Sequence, residues 1–153
     1  MKEAKQQLVV SAIQNGTVID HVPAGSLFKV IQILRLDHIE NQITFGTNLE
    51  SKKLGRKAII KISGRFFEDD DINRIALVAP EAKLNIIRDY EVVEKKVVVV
   101  PDQIAGIAKC MNPKCITNFE HVTTRFKVVS KKPIALKCHY CEKITNRENL
   151  QII

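Results

Sequence analysis

The sequence has no tryptophan, two tyrosines and six phenylalanines in 153 residues, and its six glycines are scattered. Such low aromatic content, with no Arg/Lys-rich run and no aromatic-interleaved strand, argues against an extended nucleic-acid surface. No Gly-rich phosphate loop, paired carboxylates or nucleophile–base spacing is present, so nothing marks a catalytic centre; His21 beside Asp20 is weak evidence for one. The longest mostly apolar run, Val97 to Val100 with its neighbours, falls far short of the roughly 20 residues of a membrane span. The start, Met1-Lys2-Glu3-Ala4-Lys5, lacks an apolar signal core, and the expectation is a soluble, cytoplasmic protein.

What is present is a 45% apolar composition, sufficient for packed cores, together with a net charge of +7 and four cysteines. The charge is uneven. Residues 1–100 hold 15 basic and 13 acidic side chains, whereas residues 101–153 hold 9 and 4. A basic surface attracts phosphates, with nucleic acid the first suspect, although ordinary solvation of the surface is the better account of it.

The apolar pattern predicts a strand over Leu8–Ile13 and a hairpin at Asn15-Gly16, because a type I′ turn needs positive φ at both central positions. A strand follows from Thr17 to Val22. Ser26 then caps a helix with Leu27, Val30, Ile31 and Leu34 on one side. Gln42–Leu49 and Lys57–Ser63 alternate as half-buried strands do, with Glu50–Arg56 as a loop. A second helix carries Asp69, Asp70 and Asp71 in its first turn, runs through Ile72, Ile75, Ala76 and Ala79, and stops at Pro80. Consecutive aspartates on a helix point in different directions, so that cluster is read as dipole compensation and not as a metal site. Strands over Ala82–Arg88 and Tyr90–Val93, extending to Val100, complete an order that predicts a ferredoxin-like α+β sandwich. Pro101-Asp102 breaks the pattern and divides the chain into units 1–100 and 101–153.

All four cysteines lie in the second unit. Cys110 and Cys115 enclose four residues, Cys138 and Cys141 enclose two, and 22 residues separate the pairs. Two thiolate-bearing turns brought face to face supply the soft donors that tetrahedral zinc requires. Disulfides would require an oxidising compartment, and a thioredoxin-like redox pair would require a neighbouring βαβ unit. Four cysteines fill four positions, which leaves His121 and His139 outside the shell and makes the metal structural. A unit of about 50 residues has a marginal core, so the metal would contribute much of its stability. Strands over His121–Val129 and Ile134–Lys137 predict a small zinc-ribbon-like β domain. Such a module grips a partner whose class the fold does not set. A nucleic-acid-binding zinc ribbon is the alternative reading. Zinc on four thiolates lowers the charge of the second unit to about +3.

The run Asn15-Gly16-Thr17-Val18-Ile19-Asp20-His21-Val22-Pro23, the strand Lys57-Ala58-Ile59-Ile60-Lys61-Ile62, Ala79-Pro80-Glu81-Ala82 and Asp89-Tyr90-Glu91-Val92-Val93 are distinctive together. With the cysteine spacing that ends in Ala135-Leu136-Lys137-Cys138, they closely resemble the regulatory chain of aspartate carbamoyltransferase, nearly from end to end. The resemblance implies a non-catalytic subunit: 1–100 would be an allosteric nucleotide-binding domain and 101–153 a zinc domain docked on the catalytic chain. It implies inhibition by CTP and activation by ATP in pyrimidine biosynthesis. Regulatory chains would pair through their allosteric domains, three dimers bridging two catalytic trimers.

Carried over by position, the nucleotide pocket comprises Val10, Ala12 and Ile13, then Val18, Asp20 and His21. Lys57, Lys61, Asn85 and Ile87 follow, and Tyr90, Val92 and Lys95 complete it. Asp20 suits ribose hydroxyls, Lys61 and Lys95 suit ribose and triphosphate oxygens, and backbone near Ala12, Ile13 and Tyr90 suits the base edge. Read without the resemblance, Val10, Ile13, Val18 and Val92 would be core residues and the three lysines solvated ones. Ser11 stands where the family pattern has an acidic residue, and Glu94 where it has glycine, and both departures bear on nucleotide preference.

Overall fold

A computed structural model describes residues 12–153, so the expected strand over Leu8–Ile13, with Val10 and Ser11, lies largely outside the described residues. Nine strands form two antiparallel sheets. The first contains β1 (Gly16–Pro23), β2 (Ile43–Ser51), β3 (Gly55–Ser63), β4 (Lys83–Arg88) and β5 (Glu91–Val97), in spatial order β2-β3-β1-β4-β5. Helix α1 (Leu27–Ile33) joins β1 to β2, and α2 (Asp69–Asn73) joins β3 to β4. This is the split βαβ arrangement of a ferredoxin-like sandwich, with β5 added beyond β4.

Strand alternation decides what each face carries. Ile19, Ile60, Ile62 and Leu84 are buried in one cluster with Leu27 and Val30 of α1 and Ile72 and Ile75 of the second connection. The opposite face presents Val18, Asp20, Lys61, Asn85 and Ile87. Val18 and Ile87 are buried outside that cluster.

Several local expectations are corrected. Asn15-Gly16 does not form a type I′ turn: Gly16 has φ +142° and opens β1, while Asn15 does not adopt positive φ. The two-residue turn of that class is Asp89-Tyr90, with φ of 51° and 67°, closing the β4–β5 hairpin at Arg88 and Glu91. Gln14 and Asn15 hold that turn from the neighbouring strand entry. The Tyr90 N–H donates to the Gln14 carbonyl at 2.9 Å, and the Asp89 N–H to Asn15 Oδ1 at 3.2 Å.

Ser26 occupies the N-cap of α1 without a side-chain cap bond, and Arg35 at φ 53° ends that helix in the left-handed conformation. The second helix is shorter than expected. Its α-helical part stops at Asn73 and tightens into a 3-10 turn over Arg74–Leu77, well before Pro80. Glu50–Arg56 is not all loop; Glu50 pairs with Arg56 and Ser51 with Gly55, leaving a short turn between them.

The second sheet contains β6 (Gln103–Ala105), β7 (Arg125–Lys131), β8 (Ile134–Cys138) and β9 (Ile144–Asn146), in that order, and forms a small C-terminal β domain. Leu136 and Thr145 are fully buried in it. Ile152, on the last segment, pairs with Ala108 and is partly buried, while the Ile153 N–H donates to the Ile107 carbonyl at 2.8 Å. No helix among the described residues is long and apolar enough to cross a membrane.

Candidate functional site

The four cysteines sit on two turns that face each other. The first turn is fixed by polar groups of its own: the Cys115 N–H donates to the Asn112 carbonyl at 3.0 Å, and the Lys114 N–H to Asn112 Oδ1 at 3.1 Å. Asn118 Nδ2 clamps it from below, donating to the carbonyls of Cys110 and Asn112 at 3.2 and 2.7 Å. The second turn leaves the end of β8, where the Glu142 N–H donates to the Cys138 carbonyl at 3.0 Å and Glu142 takes φ 62°.

All four Sγ atoms lie within 4.8 Å of one another; Cys110 and Cys141 are 3.6 Å apart, and Cys115 and Cys138 are 3.7 Å apart. Four sulfurs held about 2.3 Å from a central zinc at tetrahedral corners would be about 3.8 Å apart. The donors therefore fit one structural zinc ion, and the cysteines are free thiols, not disulfides. Burial pushes the Cys110 and Cys138 thiols up. Burial acts on Cys141 in the same direction, but hydrogen bonds from the Asn112 side chain and the Lys143 backbone outweigh it and bring that thiol to about 7. A zinc ion makes thiolates of all four. Thr117 Oγ1 donates to Cys115 Sγ at 3.2 Å, and the Tyr140 N–H to Cys138 Sγ at 3.4 Å. Such donors steady thiolate charge. Thr117 and Asn112 had no signal of their own in the sequence beyond closeness to the cysteines.

On the first sheet, strand register places Thr44, Lys61, Val18, Asn85 and Lys95 in one row across β2, β3, β1, β4 and β5. Two residues along β1, Asp20 accepts an ion-paired hydrogen bond from Lys57 Nζ at 2.9 Å and pairs in register with Lys83. Lys61 is 8% exposed. Burial depresses its ammonium pKa, and the nearby Asp20 carboxylate opposes that shift. The β1 bulge at His21, with φ 59°, turns the His21 N–H onto Asp20 Oδ1 at 2.6 Å. It also leaves His21 Nδ1 buried, 3.7 Å from Asp20 Oδ2 and without a hydrogen-bond partner among the described residues.

Register thus brings Val18, Asp20, Lys57, Lys61, Asn85, Ile87 and Lys95 onto one face. Ala12 and Ile13 enter β1 without regular structure, and Tyr90 lies on the β4–β5 turn, 66% exposed. Val92 is 47% exposed on the edge strand and is not a core residue, since nothing among the described residues packs beyond β5. Lys83 belongs to the same face, and only register identifies it.

Comparison with known proteins agrees with both halves of this arrangement. Residues 8–99 match the family described as aspartate carbamoyltransferase regulatory chain, allosteric domain, and residues 102–151 match its metal binding domain. An aspartate carbamoyltransferase regulatory chain from Bacteroides fragilis is 58% identical over 153 residues, covering 100% of both chains. One from Pyrococcus abyssi is 55% identical over 146 residues, covering 94% of this chain and 96% of that one. The chain belongs to the family of aspartate carbamoyltransferase regulatory chains.

Proposed function

We propose that this chain senses nucleotides on the face of its five-stranded sheet opposite the helices and passes the signal to the catalytic chain of aspartate carbamoyltransferase. CTP is the inhibitor and ATP the activator, so the chain serves feedback control of pyrimidine biosynthesis in the cytoplasm. Residues 1–100 are the allosteric domain and 101–153 the zinc domain that contacts the catalytic chain. Two catalytic trimers are bridged by three regulatory dimers.

The observation that carries this reading is the cation-rich row around Asp20, with Lys57 paired to it and Lys61 buried beside it. A buried ammonium whose pKa is depressed gains from an arriving phosphate, which restores the favour of its charged form. In this reading, Asp20 accepts hydrogen bonds from ribose hydroxyls. Lys61 and Lys95 meet ribose and phosphate oxygens, and His21 borders the sugar. Backbone at Ala12, Ile13 and Tyr90 meets the edge of the base, while Val10, Val18, Ile87 and Val92 provide apolar contact, with Asn85 as a polar partner.

Effector binding shifts a quaternary equilibrium only if the two states bind the nucleotide differently, and the zinc domain must carry that difference onward. The contact between the units supports such a route: the Val99 N–H donates to Asn73 Oδ1 at 3.0 Å, and Val98, Ile104 and Ile107 continue one apolar cluster across the boundary. Calorimetric titration of the zinc-loaded full chain with CTP and then ATP tests the sensing step. Competition between them for one site, with affinity reduced at least about tenfold in Lys61→Gln, is expected. Independent binding, unchanged by that substitution, would contradict the reading.

A further inference from the structure

Four cations line the cleft between the α2 connection and the second sheet, and none of them forms an ion pair among the described residues. Arg74 projects from the connection after α2, Arg125 and Lys127 lie on β7, and Lys137 lies on β8. The cleft has a volume of about 790 Å³, which is ample for a small ligand. Lys127 and Lys137 are directly opposed cross-strand neighbours, and Arg125 stands two residues along the same face. Like charges placed directly opposite destabilise a sheet unless something offsets them.

The zinc centre borders this cleft, since Cys138, His139 and Glu142 also line it. Alternation along β7 and β8 sets the three cations on the face opposite the buried side chains of Phe126, Leu136 and Cys138, with Phe126 and Cys138 still reaching the cleft wall. Two exposed lysines elsewhere meet carboxylates, Lys53 pairing with Glu81 at 2.9 Å and Lys131 with Asp102 at 3.2 Å. Asp70 and Glu142 also line the cleft, yet neither reaches any of the four cations.

We propose that this cleft is a second anion site, distinct from the sheet face around Asp20 and Lys61, and that it binds a chain of phosphates. Two guanidinium groups chelate phosphate oxygens in pairs, and two ammonium groups add point charge. Phe126 is 2% exposed, which leaves the His139 imidazole as the one exposed aromatic ring lining the cleft among the described residues, against four cations, so charge dominates what it offers. Recognition is therefore of the phosphates, from either a free inorganic polyphosphate or the triphosphate tail of a nucleotide. Because Arg74 belongs to the first unit and the other three cations to the second, the ligand bridges the units and favours their present arrangement.

The test is titration of the zinc-loaded full chain with sodium tripolyphosphate, and separately with ATP, at low salt. Saturable tripolyphosphate binding is expected, weakened at least about tenfold in the double variant Lys127→Gln/Lys137→Gln. It should be unaffected by Lys61→Gln, which probes the sheet face, and by the charge-matched control Lys52→Gln/Lys132→Gln. Zinc content equal to that of the parent chain shows that the variants are folded. If the cleft variant also removes a second ATP site, nucleotide tails are a ligand; if ATP binding is unchanged, free polyphosphate is. Non-saturable binding, or equal weakening in the charge-matched control, overturns the proposal.

Discussion

Gln32 of α1 donates its side-chain amide to the carbonyl of Ile152 at 3.1 Å, joining the helical layer of the first unit to the last segment of the second. That segment is itself tied down, with the Lys109 N–H on the Gln151 carbonyl at 2.9 Å. The bond is solvent-exposed, so its value lies in fixing the angle between the units more than in stability. Gln32→Ala is expected to move the thermal midpoint by no more than about 2 °C. It should nevertheless weaken the effect of nucleotides on the assembled enzyme, and effector responses equal to wild type would show that this contact carries no coupling.

The zinc centre should respond as an all-or-none element, because three of its four thiols are buried and cannot be left without a partner at small cost. Cys115→Ser is expected to abolish bound zinc and the folded C-terminal sheet while sparing the first unit. Metal analysis and amide exchange read the two effects separately, and retention of stoichiometric zinc would contradict the assignment. A chelator or mercurial applied to the assembled complex should release the catalytic chain.

Gly16 is required by geometry. A Cβ there would lie 2.1 Å from the Ile62 carbonyl oxygen, at φ +142°, where side chains are strained in any case. Gly16→Ala should destabilise the first unit by about 2–4 kcal/mol, read as a lower denaturant midpoint. Gly25→Ala, with nothing within 4 Å, serves as the matched control and should be close to neutral.

Lys61 gives a pH prediction with a definite sign. Burial lowers its pKa from the ordinary 10.5, against the pull of Asp20. The unfolded chain therefore holds more protons as pH climbs from the lowered folded value towards 10.5, and stability contributed at this site rises across that window. Below the window the full desolvation cost remains. Relative to Lys61→Met, the parent chain should gain stability between neutral and alkaline pH, and denaturant midpoints that move in parallel would refute this. Asp20→Asn should depress the Lys61 pKa further.

Much of this architecture was legible from residue pattern. Ile19, Ile60 and Leu84 alternate, Leu27 and Val30 recur at helical spacing, and the cysteine spacing implied a tetrathiolate before any distance was known. The errors share a cause. Asn15-Gly16 carries the sequence signature of a tight hairpin, yet its polar groups are used to hold the Asp89-Tyr90 turn, a long-range arrangement that no local window contains. The helix after Asp71 tightens into a 3-10 turn at Arg74, well before Pro80, a change that the apolar spacing does not mark. The Lys61–Val18–Asn85–Lys95 row depends on register across four strands, so composition and spacing could supply the residues but not their adjacency.

The central claim is that the sheet face around Asp20 and Lys61 controls a catalytic partner. Aspartate saturation curves of the assembled enzyme, with and without CTP and ATP, test it most directly when wild type and Lys61→Gln are compared. The account predicts opposite displacements by the two nucleotides in the wild type and little displacement in the variant, with its maximal rate intact. Curves unchanged by both nucleotides in the wild type, or displaced equally in Lys61→Gln, would contradict it.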